Sequence, residues 1–201
     1  MSESPQTRAT LLLRMRDRED GDAWSEFLRD YGPMIYRFVR SRGLQDADAS
    51  DLVQDVMRSV GMAINGLDYQ KEKGGFRAWL FAITRNKLST YYGKRQRIGP
   101  VGNRTDQYEM LSQAGETSNE LDQQWELEHQ RQLAALAMEA LKPTLEPKTW
   151  AAFEMTAIEG ISAEDAGEKL GLSKGAVYVA RSRVTAKLRG EIERMLAEED
   201  H

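Results

Sequence analysis

From Thr10 to about Gly93 the apolar residues recur at helical rather than strand spacing. Leu11, Leu12 and Met15, then Trp24, Phe27, Leu28 and Tyr31, predict two short helices separated by Asp20-Gly21-Asp22. Gly32-Pro33 is expected to break or kink the second, which Ile35, Tyr36, Phe38 and Val39 continue. Asp46 to Ile64 reads as a helix with Val53, Val56, Val60 and Ile64 inward. A polar loop over 65–75 ends in two glycines, and the helix from Phe76 to about Tyr92 sets Phe76, Trp79, Leu80, Ile83 and Leu88 on one side. Residues 98–120 have turn chemistry and no sustained apolar period, so they read as a linker, flexible or ordered only by a partner. A helix resumes from Leu121 to Leu141, where Lys142-Pro143 stops it, and Thr149 to Glu159 predicts another. With no repeat and no persuasive strand, the chain reads as all-α. Two small helical domains, 10–97 and 121–195, are joined by an acidic linker over 98–120, with tails at 1–9 and 196–201.

The segment from Ile161 to Arg189 carries the sharpest local signal. Ser162 can cap a helix, with Asp165 three residues on completing a capping box. Leu170-Gly171-Leu172-Ser173 supplies a glycine stop and a serine start. In the next helix Val177, Ala180, Val184 and Leu188 recur at core spacing. Lys174, Tyr178, Arg181, Thr185 and Arg189 are expected opposite them, flanked by Ser182, Arg183 and Lys187. A helix-turn-helix whose second helix is apolar behind and basic in front fits a DNA major groove. The plainer alternative is a solvated amphipathic helix pair; cap, turn and basic face together favour DNA.

Charge sharpens this picture. The net charge is −4, but residues 1–100 carry 17 Lys/Arg against 13 Asp/Glu, residues 101–135 carry 2 against 7, and residues 136–201 carry 9 against 12. Positive charge is concentrated in two places with an acidic segment between. There is no Cys, and the two His, at 129 and 201, suggest no metal site. No apolar run reaches membrane length and the N-terminus lacks signal-peptide order, so a soluble cytoplasmic protein is expected. Carboxylates are abundant, yet no His, Cys or phosphate loop stands with them in a catalytic arrangement, so neither enzyme chemistry nor a cofactor is expected.

Two further constellations stand out. In Asp51-Leu-Val-Gln-Asp-Val56, Asp51 and Asp55 lie one helical turn apart beside Gln54. This is a solvated acidic face partly paired with Arg58, or a docking surface for a basic partner helix. In residues 76–97, Arg77, Arg85, Lys87, Lys94, Arg95 and Arg97 interleave with Asn86, Tyr91 and Tyr92. Single-stranded nucleic acid asks for this combination of cations along a backbone path and aromatic faces for unstacked bases. Trp79 and Phe81 suit the core better than a stacking platform. The preceding Gly-Gly loop permits close backbone approach to an extruded base.

Taken together, these residues resemble a bacterial sigma factor of the extracytoplasmic-function (group IV) class, from Leu11 to about Ile192. The motifs carrying the resemblance are Ala23-Trp-Ser-Glu-Phe-Leu-Arg-Asp-Tyr-Gly-Pro33, Asp51-Leu-Val-Gln-Asp-Val56, Gly75-Phe-Arg-Ala-Trp-Leu80 with Thr84-Arg-Asn86, and Gly160-Ile-Ser162 through Lys187-Leu-Arg189, in that order. The leader Thr10-Leu-Leu-Leu-Arg-Met-Arg-Asp17 is similar to the variety common in planctomycetes. The resemblance implies that 10–97 is a region 2 domain and 121–195 a region 4 domain. It implies core RNA polymerase as partner, through the β′ coiled coil and the β flap, with promoter DNA as the second partner. It leaves room for an anti-sigma factor and calls for no membrane insertion. Asp51, Leu52, Gln54 and Asp55 would bind polymerase. The loop 66–75 with Asn86, Lys87, Tyr91, Lys94 and Arg95 would read and melt the −10 element, while Ser173, Lys174, Tyr178, Arg181, Ser182, Arg183 and Lys187 would read the −35 element. The linker would thread through polymerase toward the active-site and RNA-exit channels.

The chain departs from the family pattern in places. Glu164-Asp165 is followed by Ala166-Gly167 where a bulky aliphatic and Ala are usual, and Gly167 is expected to cost about 1 kcal/mol against Ala. Ala176 replaces a common Thr, and Ser89 a common acidic residue. The rival readings are a stand-alone helix-turn-helix regulator, which would need a dimer to read two half-sites, and an adaptor that mimics a sigma factor.

Overall fold

A computed structural model describes residues 8–66, 75–98 and 117–199, with the side chains of 8, 9, 95–98, 117, 118 and 199 excepted. The linker expected at 98–120 therefore lies almost wholly outside the described residues, as does most of the Gly-Gly loop. The described residues are helical and hold no strand: α1 (Arg8–Arg14), α2 (Gly21–Ser41), α3 (Asp46–Ala63), α4 (Gly75–Ile98), α5 (Thr117–Leu141), α6 (Pro147–Phe153), α7 (Ala163–Leu170) and α8 (Lys174–Glu199). The chain divides into two compact units, one spanning Met1–Gln132 and including Glu198–His201, the other Leu133–Ala197.

In the first unit α2 starts where Asp20 accepts the Ala23 N–H at 2.9 Å. The same carboxylate takes the Arg14 guanidinium at 2.9 and 3.0 Å, so α1 is tied to the N-terminus of α2. Foremost that hydrogen bond, then the Ala23 N–H, holds the Asp20 carboxyl below its ordinary value of 3.8. Ala23, Phe27, Tyr31, Met34, Ile35, Phe38 and Val39 then line the buried face without interruption. Helix α2 is continuous through Gly32-Pro33, so of the expected break or kink a break does not occur. Pro33 points to solvent while Gly32, Met34 and Ile35 are buried around it, and packing on both sides outweighs one missing backbone hydrogen bond. Leu28, one of the apolar residues that predict the helix, is 49% exposed.

Helix α3 buries Ala49, Leu52, Val53, Val56 and Val60, with Ile64 following in a 3-10 turn. Helix α4 contributes Phe76, Leu80 and Leu88, and Thr84 completes that row by donating its hydroxyl to the Leu80 carbonyl at 2.9 Å. Phe27, Tyr31 and Phe76 meet at ring separations of 4.9–5.8 Å. Trp79, Phe81 and Ile83 are half-buried against this core, as their reading as core residues requires.

The boundary expected at Leu121 is not where the packing changes. Helix α5 is already formed at Thr117, and its first half packs on the first unit. Leu121 and Trp125 join the first core, the Trp125 ring lying 5.2 Å from Phe38 and 5.1 Å from Phe81. Polar residues finish the seam. The Glu128 carboxylate, 2% exposed, accepts from Arg37 at 2.8 Å, Arg131 at 2.7 Å and Gln124 at 2.9 Å, and Arg37 also donates to Gln132. Buried His129 contacts the Arg77 guanidinium at 3.2 Å, and Glu126 pairs with the same arginine at 3.3 Å. A buried carboxylate is tolerated because its lone pairs are occupied by donors, two of them cationic.

In the second unit Glu146 caps α6 by accepting the Lys148 and Thr149 N–H groups, so the helix starts at Pro147 rather than Thr149. From Glu154 to Ile158 the helix widens to π geometry before Gly160 turns at φ 72°. Trp150, Phe153 and Val184 form one cluster; Ala152, Ala166, Val177 and Ala180 form another. Helix α8 continues to Glu199, through most of the tail expected at 196–201.

Two expectations follow. Trp125→Ala should cost about 3–5 kcal/mol and lower hydrogen-exchange protection along α4; a mere linker residue would change neither. Asp20→Asn should narrow acid sensitivity with a definite sign. A depressed carboxyl stabilises the fold above its unfolded value and loses that contribution as pH falls through the folded one. The wild-type advantage in thermal midpoint should therefore be present at neutral pH and vanish in acid.

Candidate polymerase and promoter interfaces

Three surfaces carry the residues singled out in the sequence, and helical spacing decides which of them face out. On α3, Asp51 and Gln54 are exposed and Asp55 half-exposed, its carboxylate paired with Arg58 at 2.9 Å. Leu52 does not belong with them. It is 3% exposed and packs in the core, since it sits one position round the helix from the acidic row. Its side chain packs beneath the acidic row.

On α4, Asn86, Thr90 and Lys94 follow at intervals of four along one exposed row, with Arg85 and Ser89 beside it. Lys87 and Tyr91 form a half-buried neighbouring row. The Tyr91 hydroxyl donates to Asp48 at 2.7 Å and Tyr92 donates to the Arg42 carbonyl, so both phenols are anchored to neighbouring parts of the first unit. The Tyr91 and Tyr92 rings meet edge-on with centroids 5.3 Å apart. Arg42, missed in the sequence, lies over the Phe38 ring at 5.5 Å, and burial lowers its pKa. Arg95 lies within α4, its side chain outside the described residues, as is the loop 67–74.

The helix-turn-helix forms as its caps dictate. Ser162 Oγ accepts the Asp165 N–H at 3.1 Å and donates back to the Asp165 carboxylate at 2.7 Å. Gly171 ends α7 at φ 67°, with the Leu172 N–H on the Gly167 carbonyl at 2.8 Å and the Gly171 N–H on Glu168. Ser173 Oγ accepts from Ala176 N–H at 3.2 Å to open α8. Gly167 is thereby reassigned. A Cβ there would stand 2.6 Å from the Leu172 carbonyl oxygen, so glycine lets the turn close against α7.

Val177, Ala180 and Val184 are buried and Leu188 half-buried, as expected. Ser173, Lys174, Tyr178, Arg181, Ser182, Arg183 and Lys187 are all exposed. Their distribution differs from expectation. At about 3.6 residues per turn, Lys174, Tyr178, Arg181 and Thr185 occupy one shoulder of α8 and Arg183 and Lys187 the other. Opposite the core stand Gly175, Val179, Ser182 and Ala186. Lys174 is held by Glu164 of α7 at 3.1 Å, and that hydrogen bond raises its pKa.

Among the described residues no cluster could hold a metal ion, and no helix is long and apolar enough to cross a membrane. Residues 27–98, which comprise most of α2 together with α3 and α4, match the family model for Sigma-70 region 2. Similar proteins include RNA polymerase sigma factor CnrH of Cupriavidus metallidurans, 28% identical over 83% of this chain and 84% of the relative. NccH of Alcaligenes xylosoxydans xylosoxydans, also an RNA polymerase sigma factor, is 28% identical over 88% of this chain and 90% of its own. ECF RNA polymerase sigma factor SigE of Mycolicibacterium smegmatis is 30% identical over 81% of this chain, which spans 57% of it. A solved structure of CnrH in complex with the cytosolic domain of CnrY covers 92% of this chain at 23% identity, with a TM-score of 0.34. The first unit contains a sigma-70 region 2 fold. Over most of its length the chain is similar to RNA polymerase sigma factors, one of them of the extracytoplasmic-function class.

Replacing Gly167 by Ala should lower the thermal midpoint of the second unit by the equivalent of about 1–3 kcal/mol, despite the better helix propensity of Ala. Calorimetry of the full chain measures it, and a raised midpoint would restore the view of Gly167 as a weak point.

Proposed function

We propose that this chain binds core RNA polymerase and directs it to promoters by reading −10 and −35 elements. The observation that carries the proposal is the Sigma-70 region 2 match over 27–98, on a unit that exposes an acidic row on α3 and a basic row on α4. Asp51, Gln54 and Asp55 would meet a basic polymerase helix, with Leu52 supporting them from beneath. Asn86 and Lys94 would meet the −10 strand directly, joined by Arg95. Lys87 and Tyr91, half-buried, would flank it, with Tyr91 fixed in direction by Asp48. The helix-turn-helix would place α8 in the −35 major groove, its two basic shoulders toward the phosphates on either side.

In this reading the protein catalyses nothing and supplies binding energy. Extruding a base costs a few kcal/mol, offset by contacts that form only with the opened strand. Each basic surface is small, so the free protein should bind DNA weakly. Docking on polymerase would fix the spacing of the two units and raise their effective concentration on one promoter.

The test is transcription in vitro from a pooled promoter library with purified core polymerase, with and without the protein. New RNA 5′ ends downstream of shared elements at fixed spacing are expected; failure to bind any cognate core enzyme would sink the proposal. Asp51→Arg combined with Asp55→Arg should weaken core binding at least about tenfold, since reversed charges face the basic partner, while the helical circular dichroism stays unchanged. Lys94→Glu should spare core binding and reduce open-complex formation, read by permanganate footprinting.

A further inference from the structure

Resting on the reading of α8 as the −35 helix, we propose that Val179 recognises a thymine of that duplex through its 5-methyl group and is the base-selective contact at the centre of the helix.

Val179 is 58% exposed, and nothing in the fold accounts for it there. A β-branched residue at a solvent-facing helix position gains no burial and has a lower helix propensity than Ala or Lys. Its neighbour Tyr178 is also exposed, at 53%. Val179 lies opposite the buried row of Val177, Ala180 and Val184, so when the back of α8 packs on its own unit Val179 points outward at the middle of the reading face. Cations stand on both sides, with Lys174 and Arg181 on one shoulder and Arg183 and Lys187 on the other, all exposed. That distribution fits a helix lying in a groove between two phosphate chains, with its central residue against the base edges.

The chemistry of that residue limits what it can read. Valine neither donates nor accepts a hydrogen bond, so it cannot distinguish the polar edges of guanine, cytosine or adenine. The thymine methyl is the one apolar group in the major groove. Ser182, on the same outward face, can bond to a donor or an acceptor and selects less sharply. The cations position the helix, and Val179 supplies a preference they lack.

The promoter recovered from the library supplies the probe. Each thymidine of its −35 element, on either strand, is replaced by deoxyuridine, which removes the methyl group and leaves base pairing intact. Open-complex formation is measured with the holoenzyme carrying the wild-type chain or Val179→Ala, a variant that keeps helix propensity and removes no buried group. One replacement is expected to reduce the wild-type response about fourfold, the worth of one buried methyl group. The same replacement should leave Val179→Ala unaffected, and that variant should already show the loss on the unmodified promoter. Absence of any methyl-sensitive position, or equal sensitivity in the variant, overturns the inference while leaving the promoter-recognition reading intact. A holoenzyme that initiates nowhere in the library would remove that reading and the inference with it.

Discussion

Helix α4 has to be a core element and, in the proposed function, a reading surface at once, and its inner row decides the outcome for both. Phe76, Leu80, Thr84 and Leu88 follow at four-residue intervals and are buried against the first core. Thr84 fits because its hydroxyl turns back to the Leu80 carbonyl instead of facing an apolar wall unpaired. With that row fixed, the rotation of α4 is fixed, and Asn86, Thr90 and Lys94 have no choice but to face out. Half-buried Trp79, Phe81 and Ile83 flank the seam and leave few ways to turn the helix without losing contacts. The basic surface is a by-product of burial, not of charge.

The second unit solves the same problem with less material. Its two buried clusters are small, and three of the four members of one are alanine, the fourth being Val177 of α8. Close approach replaces bulk. Ala166 and Gly167 let α7 come near the turn, and Gly171 and Ser173 satisfy backbone groups at the two helix ends. Backbone geometry carries much of what side-chain volume carries in the first unit.

What the sequence made legible was local. Caps, glycine stops and apolar spacing act over a few residues, so the helices, the turn and the buried row of α8 could be read directly. The helix from Leu121 was legible, but the unit that its first half joins was not. Glu128, His129 and Gln132 look like a solvent face, and they are buried because Arg37 and Arg77 reach them from helices many residues away in the chain. The same holds for Pro33, whose expected break is overridden by neighbours on both sides. Of the candidate contacts, the exposed acids and cations were identified by type, while Leu52 was drawn in by its motif though its angle on α3 sends it to the core. The shoulders of α8 required a full helical projection, because adjacent residues in one basic stretch fall on opposite sides.

The turn between α7 and α8 is closed by Gly167, Gly171 and backbone hydrogen bonds, and the helix behind it is held by Val177, Ala180 and Val184. None of these atoms belongs to the outward residues at 175, 179, 182 and 186. The outward positions and the part that folds are therefore separable in inheritance. Duplicated copies of such a gene can drift at the outward positions without passing through unfolded intermediates, so that, with α8 as the proposed −35 helix, new promoter preferences would lie a few substitutions apart on an unchanged scaffold.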